Sequence, residues 1–270
     1  MLQAERRLFL IESLLAENAA YRDVDIPSDA DGQRRLLRAL MNVRPPKPVG
    51  GEFLRVQDDY LADALAHKTV TDADSLPFLR PGISLWQGDI TTLRCDAIVN
   101  AANSGMTGCY VPCHRCIDNA IHTYAGVQLR LACADLMQKQ GREEPVGRAK
   151  ITPAFNLPCR YVLHTVGPMI ADAVTQKDCR LLSDCYRACL SLAAENGLQS
   201  VAFCCISTGE FRFPNGLAAE IAVQTVTDFL QTETSIRRVI FNVFKDEDKA
   251  LYAALLGAPR DAHASPRTTF

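Results

Sequence analysis

The stretch CDAIVNAANSGM, residues 95–106, contains a short apolar run that ends directly in asparagines and small residues. An apolar run of this length, bounded by turn-forming residues, is typical of a strand that is buried on both faces. Similar runs occur at 83–90 (ISLWQGDI), 148–155 (RAKITPAF), 160–168 (RYVLHTVGP) and 200–207 (SVAFCCIS). Helical patterns separate most of them, one running from about Cys116 to Gln140. This alternation predicts an α/β fold with three layers, in which helices enclose a mixed central sheet.

The first 72 residues have a different pattern and predict a helical N-terminal extension. Leu10, Ile11 and Leu14 recur at helical spacing, and a second helix follows Ser28 and Asp29, either of which can cap it. A third helix is predicted at about 52–66. Because the region has no catalytic motif, we expect it to pack as a cap on the main domain, residues 73–260, which is followed by a flexible tail at 261–270.

Composition and charge exclude several classes of protein. The chain has 270 residues, a formal net charge of −2 and 48% hydrophobic residues, so no basic surplus is left for a nucleic-acid backbone. No apolar run reaches the roughly 18 residues of a membrane helix, and charges interrupt the apolar N-terminus where a secretory signal needs an unbroken core. Most of the 11 cysteines lie in apolar patterns, as reduced core thiols do. We therefore expect an intracellular, cytoplasmic protein without nucleic-acid or membrane partners.

Three loops are expected to form the ligand site, because ligands of α/β sheets bind beyond the carboxyl ends of the strands. One carries Gly88 and Asp89, one follows Asn100, and one spans 208–216. Backbone N–H groups and hydroxyls at 207–209 suit a phosphate just before a helix, although an ordinary strand-to-helix turn has the same pattern. Phe211 and Phe213 in this loop are expected either to contact a ribose or base or to turn into the core.

Cys109, His114 and Cys116 have the spacing C-x4-H-x-C, and thiolates with an imidazole favour zinc. Three ligands with one open position are typical of a catalytic or substrate-orienting zinc. His122 lies six residues past Cys116, about 240° around a helix, so it is a poor fourth ligand and instead shares a face with Asp118. Free thiols, or a redox pair of Cys113 and Cys116, are the alternatives.

Taken in order, QGDIT, AIVNAANSGM, CIDNAIHTYAG, TVGP and CISTGEFRFPNGLAAEIA resemble the motifs of macrodomains, which bind ADP-ribose with an α/β/α fold. The resemblance covers residues from about 80 to 257. GCYVPCHRC stands where the MacroD-like hydrolase branch has a glycine-rich run, and so resembles the zinc-dependent macrodomains of microbes, which also carry a helical N-terminal extension. In that subfamily a Cys, a His and a Cys hold the zinc, matching Cys109, His114 and Cys116, while Cys113 is extra to the pattern.

The resemblance implies a zinc-dependent hydrolase that removes mono-ADP-ribose from protein side chains, through the ester formed on Asp or Glu. In some bacteria such proteins work beside a sirtuin-like ADP-ribosyltransferase and a lipoylated carrier protein. A non-catalytic ADP-ribose-binding module with a structural zinc, and a deacetylase acting on O-acetyl-ADP-ribose, are the alternatives. Zinc would either activate water or hold and orient the ribose.

The resemblance also implies roles for individual residues. Asp89 would accept a hydrogen bond from the adenine amino group beside the backbone of Ile90, and Asn103 would bind the distal ribose. Asp118 and Asn103 are the catalytic candidates, and Asn100 is expected to add to the hydrogen-bonding site. The diphosphate loop would consist of Ser207, Thr208, Gly209, Glu210 and Phe211, with Phe213 beside the distal ribose.

Overall fold

The computed structural model describes residues 1–257, and the predicted tail at 261–270 lies outside them. Seven strands form one sheet in the order β2-β3-β9-β8-β5-β7-β6. The five inner strands are parallel, while β2 and β6 run antiparallel at the two edges, so the predicted mixed sheet is confirmed. The strands are β1 (Thr71–Asp72), β2 (Phe78–Arg80), β3 (Ile83–Gln87), β4 (Leu93–Arg94), β5 (Ala97–Ala102), β6 (Ala149–Pro153), β7 (Tyr161–Val166), β8 (Ser200–Phe203) and β9 (Arg238–Val243).

Two groups of helices flank the sheet, as the predicted three layers require. One group, α4 and α5, contacts β5 and β6, and the other, α6, α7 and α8, contacts the sheet and packs helix on helix. No helix within residues 1–257 has the length and apolar character needed to cross a membrane. The helices are α1 (Gln3–Ala16), α2 (Ala30–Val43), α3 (Gly51–Ala66), α4 (Ile117–Ala125), α5 (Val127–Gln140), α6 (Gln176–Glu195), α7 (Asn215–Leu230) and α8 (Asp246–Leu256).

The single helix expected from Cys116 to Gln140 is wrong, because the structure divides it into α4 and α5 at Gly126. This glycine has a φ of 92°, which other residues rarely adopt. A Cβ atom there would lie 2.6 Å from Gln57 Nε2. Gln57 belongs to α3, and its Oε1 accepts a hydrogen bond from the N–H of Val127 at 2.9 Å. The break therefore lets the N-terminal helices approach α5 closely.

The three N-terminal helices have a small core of their own. Asp29 begins α2, since its Oδ1 accepts a hydrogen bond from Gly32 N–H at 2.7 Å. Val127 of α5 joins the apolar side chains of the three helices, so this core extends into the main domain. Its buried members are Leu10, Ile11, Leu14, Leu37, Leu40, Met41, Phe53, Val56 and Val127. α2 also packs directly on α4, which carries candidate site residues.

Candidate active site

The predicted ligand loops meet at the carboxyl edge of the parallel strands. The loop after β5 and the loop after β8 are neighbours because these two strands pair directly. The turn after β3 is attached to the same edge through β9, since Gly88 N–H donates to Val243 O at 3.0 Å. Asn242 Nδ2, also from β9, donates to Gly88 O at 3.0 Å. The sheet thus brings three separate segments to its carboxyl edge, where α/β sheets have their ligand crevice.

Asp118, near the start of α4, is held by two asparagines from the end of β5. Asn100 Nδ2 donates to its Oδ1 at 2.8 Å, and Asn103 Nδ2 donates to its Oδ2 at 3.3 Å. Asp118 is buried, and burial raises its pKa to about 6, against the lowering effects of the Asn100 hydrogen bond, the Arg130 charge and the Asn103 hydrogen bond. A buried carboxyl group with fixed oxygens and a perturbed pKa is typical of a functional site.

Several polar atoms beside Asp118 lack hydrogen-bond partners. His122 shares the face of α4 expected from the sequence, with Nε2 3.5 Å from Asp118 Oδ1. Neither of its ring nitrogens makes a hydrogen bond within the described residues, and the same is true of Asn100 Oδ1 and Ser207 Oγ. Burial, with His164 and Arg130 nearby, lowers the pKa of His122 well below its ordinary value, so the ring is neutral. Unsatisfied buried groups are costly, so these atoms are candidates for a functional role.

Cys109, His114 and Cys116 converge on one point beside this group. Their donor atoms all lie within 4.8 Å of one another, and Cys109 Sγ is 3.6 Å from His114 Nδ1. Zinc–sulfur and zinc–nitrogen bonds of about 2.3 and 2.0 Å in tetrahedral geometry place neighbouring ligand atoms roughly 3.5–3.8 Å apart. The residues present therefore fit a zinc ion. Cys113 turns away, with its Sγ 3.4 Å from Arg35 O.

A second histidine–cysteine group, His122, Cys133 and His164, lies in the interior. Both nitrogens of His164 already face polar partners, Asn100 Nδ2 at 3.2 Å and Thr152 Oγ1 at 2.9 Å. Burial lowers the pKa of His164 to about 3, so this ring is neutral. His164 therefore belongs to the hydrogen-bonded support beneath Asn100, whereas His122 has no hydrogen-bond partner among the described residues.

The loop between β8 and α7 is tight and strained. Ser207 and Arg212 have positive φ values of 65° and 57°. Phe213 N–H donates to Ser207 O and Arg212 N–H donates to Gly209 O, both at 3.0 Å. Among the described residues, the N–H groups of 209, 210 and 211 have no acceptor in the protein. Consecutive free N–H groups in such a turn form an anion-binding concavity.

At the opposite end of the crevice, the oxygens of Asp89 have different partners. Oδ1 accepts hydrogen bonds from Thr91 N–H at 3.0 Å and from Thr91 Oγ1 at 2.6 Å, while Oδ2 lies 3.2 Å from Lys68 Nζ. Lys68 follows α3 and also lies over the Tyr124 ring at 3.8 Å. Ile90 is buried beside this turn. Asp89 itself is partly exposed, so Oδ2 is accessible to a ligand donor as well.

Two of the expected ligand residues lie beneath the crevice instead of facing it. Asn100 is 0% exposed and Phe213 is 1% exposed, the latter within the main core. Of the two expected aromatics, Phe211 is the accessible one, and it packs on Ala102, Met106 and Val166. Direct ligand contacts for Asn100 and Phe213 stay predictions, and their visible role is to support Asp118 and the strained loop.

The N-terminal region contributes polar residues to this site that no sequence pattern had indicated. Arg38 and Asn42 of α2 hydrogen-bond the segment that carries the cysteines, and Lys68 reaches Asp89. Arg130 of α5 lies over the Tyr110 ring at 4.3 Å and donates to Asn42 O at 2.7 Å. Single polar residues in amphipathic helices look like ordinary solvent-facing positions, which is why sequence patterns miss them.

Comparison with known proteins agrees with this architecture. A family model described as "Macro domain" matches residues 99–222. A "Protein-ADP-ribose hydrolase" of Treponema medium is 60% identical over 260 residues, covering 95% of this chain and 100% of the relative. The Trypanosoma brucei macrodomain in complex with ADP-ribose is 29% identical with a TM-score of 0.63, covering 81% of this chain and 95% of that one.

A longer relative contains a similar segment within a larger protein. The "Probable bifunctional ADP-ribose hydrolase/ADP-ribosyltransferase" of Fusarium oxysporum is 43% identical over 251 residues, which cover 86% of this chain and 42% of the relative. The family match covers the loops after β5 and β8, and the first of these relatives is aligned over nearly the whole chain. The chain therefore belongs to the macro domain family.

Proposed function

We propose that this protein is a zinc-dependent hydrolase that releases mono-ADP-ribose from modified side chains, acting on the ester formed with Asp or Glu. The observation that carries the proposal is the position of the Asp118 carboxylate. Asn100 and Asn103 fix both of its oxygens, and a Cys-His-Cys group that fits zinc lies beside it in the segment that leads into α4. The name of the Treponema relative and the ADP-ribose complex of the Trypanosoma structure support the same substrate class.

The proposed binding mode follows the length of the crevice. At one end of the crevice, beside Ile90, Asp89 accepts a hydrogen bond from the adenine amino group. The free N–H groups of the loop after β8 bind the diphosphate, whose charge also suits the N-terminus of α7. Asn103 reaches the distal ribose at the other end. Binding energy from the adenine and diphosphate then positions the ribose ester next to Asp118.

The reaction breaks the bond between the distal ribose and the acyl oxygen of the modified side chain. Cys109, His114 and Cys116 would hold the zinc, which supplies Lewis-acid polarisation of a bound water or of the ribose hydroxyls. Asp118 orients the attacking water and accepts its proton. Asn100 and Asn103 keep the carboxylate in place during this transfer, and the neutral ring of His122 lies against it.

The proposal extends to an ADP-ribosyltransferase as functional partner, as the resemblance implied. Support comes from the Fusarium relative, whose name combines a hydrolase with an ADP-ribosyltransferase in one protein. A lipoylated carrier protein as target stays a prediction. A cytoplasmic location is proposed as well, since all 11 cysteines are free thiols, as a reducing compartment requires.

The test compares three activities of the purified protein before and after zinc is removed with a strong chelator. Turnover is measured with two substrates, a protein mono-ADP-ribosylated on acidic side chains and O-acetyl-ADP-ribose. Binding is measured with ADP-ribose. We expect the wild type to release ADP-ribose from the modified protein. This release should be lost when zinc is removed and in Cys116→Ala. Tight ADP-ribose binding without turnover would instead establish a binding module, and faster cleavage of O-acetyl-ADP-ribose would establish a deacetylase. Full turnover by metal-free protein would refute zinc dependence.

A further inference from the structure

The metal loop, residues 109–116, is held from outside the macrodomain sheet. Arg38 of α2 donates from Nη2 to His114 O at 3.0 Å. The same nitrogen donates to Asn119 Oδ1 at 2.8 Å, and Asn119 Nδ2 donates in turn to Val111 O at 3.0 Å. Asn119 is 0% exposed. The backbone between the metal ligands is thus fixed at two carbonyl groups, one directly and one through a buried side chain.

Asn42, one helical turn further along α2, holds the strained residue of the same loop. Cys113 has a φ of 52°, an unfavourable value for a side chain with a Cβ atom. Its N–H donates to Asn42 Oδ1 at 2.9 Å, and Asn42 Nδ2 donates to Thr123 Oγ1 at 2.9 Å. Asn42 is buried, and losing it would leave the Cys113 N–H without its acceptor, while Thr123 Oγ1 would keep its hydrogen bond to Asn119 O at 2.7 Å.

Arg130 connects the end of α2 to the loop from the other side. Its Nη1 donates to the carbonyl oxygens of Met41, Asn42 and Arg44 at the end of this helix. Its guanidinium lies over the exposed ring of Tyr110, the neighbour of Cys109. α2 is therefore fastened to the macrodomain at the place where it supports the metal loop.

We propose that the N-terminal helices serve as a metal-retention element, in which Arg38 and Asn42 are positioning residues that hold Cys109, His114 and Cys116 ready for the ion. Without these bonds the loop would have to become ordered each time it bound metal. Groups that orient metal ligands from the outside typically change metal affinity by roughly 10- to 100-fold when removed. The inference rests on the zinc site of the proposed function. It assigns the N-terminal helices a role in metal binding in addition to packing on the main domain.

The test measures zinc affinity of the full-length chain, not activity. Metal-free wild type, Arg38→Ala, Arg38→Lys and Asn42→Ala compete with a chromophoric chelator for zinc. Arg34→Ala is the matched control, since Arg34 lies one turn earlier on α2 and its ion pair with Asp31 is exposed. A cobalt(II) spectrum of each protein reports the geometry of the thiolate ligands, which a merely structural defect elsewhere would not change.

We expect Arg38→Ala and Asn42→Ala to raise the zinc dissociation constant by roughly 10- to 100-fold and to alter the cobalt spectrum, while Arg34→Ala matches wild type. Arg38→Lys should fall between Arg38→Ala and wild type, because an ammonium can replace Nη2 but not Nε, which also donates to Asn119 Oδ1 at 3.3 Å. If Arg38→Ala does not fold, Arg38→Lys and Asn42→Ala decide the question. Unchanged zinc affinity and cobalt spectra in the folded variants would overturn this inference alone. A wild type that binds no zinc would overturn the proposed metal centre and this inference with it.

Discussion

Asn100 and Asp118 are joined by a buried hydrogen bond of 2.8 Å, although 18 residues separate them in sequence. Asn100 lies near the end of the central strand β5, and Asp118 lies in the first turn of α4. The bond places a carboxylate at the edge of the sheet next to a loop that contains three cysteines.

Asp118→Asn should abolish turnover while preserving ligand binding. The amide has the shape of the carboxyl group but cannot accept the proton of the attacking water. General-base catalysis contributes roughly 10²- to 10⁴-fold, so we expect a loss of kcat in that range. Release of ADP-ribose is the measurement, with calorimetric ADP-ribose affinity alongside. Asp135→Asn, an exposed acid on α5, is the control. Comparable kcat in Asp118→Asn and wild type would eliminate Asp118 as the base.

The three cysteines of the metal loop should differ sharply in their effect on zinc content. Cys109→Ser and Cys116→Ser remove a soft ligand, so we expect the purified proteins to retain little zinc. Cys113→Ser should hold about one zinc per chain like wild type, because a site of this kind uses three protein ligands and Cys113 Sγ points to Arg35 O instead. Elemental analysis of the three variants gives the answer. Loss of zinc in Cys113→Ser would show that the ligand set is wrong.

Gly167→Ala should weaken both the fold and ADP-ribose binding. A Cβ atom at this position would lie 2.0 Å from Ser207 Oγ and 2.9 Å from Ile206 Cγ2. The loop after β8 must move to make room, and overpacking of this kind costs roughly 1–3 kcal/mol. Urea unfolding and calorimetry measure the two effects. Gly51→Ala is the matched control, since the nearest atom to its added Cβ is 4.0 Å away. Unimpaired ADP-ribose affinity in Gly167→Ala would separate this loop from the ligand.

Asp96→Ala should destabilise the protein in a manner that depends on pH. Oδ2 of Asp96 accepts hydrogen bonds from the N–H groups of Gln199 and Ser200, and Oδ1 accepts one from Arg160 Nη1. Burial alone would raise its pKa, but these hydrogen bonds outweigh burial and lower it below the ordinary value. Hydrogen bonds to charged groups contribute roughly 1.5–3 kcal/mol, and partial exposure places this loss at the low end of that range.

The sign of the pH effect follows from the lowered pKa. The stabilisation by Asp96 is complete above the unfolded-state pKa of about 3.9 and disappears as the pH falls through the lower folded-state pKa. Urea unfolding of wild type and Asp96→Ala should therefore differ at pH 7 and converge in acid below about pH 3.9. A difference that stays constant down to the acid limit would show that the charge of Asp96 is irrelevant.

The strands that lead to the crevice were predictable because the hydrophobic pattern that indicates them involves only neighbouring residues. An apolar run such as that ending at Ala102 predicts a buried strand, and the polar loop after it must lie at the sheet edge. The close spacing of Cys109, His114 and Cys116 limits their separation in any fold. The single helix expected across Gly126 was wrong because the chain breaks there to make room for Gln57, which lies about 70 residues away in sequence.

The sequence by itself determined the α/β layers, the carboxyl edge as the candidate ligand site, and the cysteine–histidine group, since periodicity and short spacing act along the chain. The tertiary structure alone decided which residues support that group. Arg38 and Asn42 lie more than 70 positions before their partners in the metal loop, and nothing local distinguishes them from surface residues of an amphipathic helix. Their role arises only when α2 packs on α4, because a hydrogen bond requires both partners within about 3 Å.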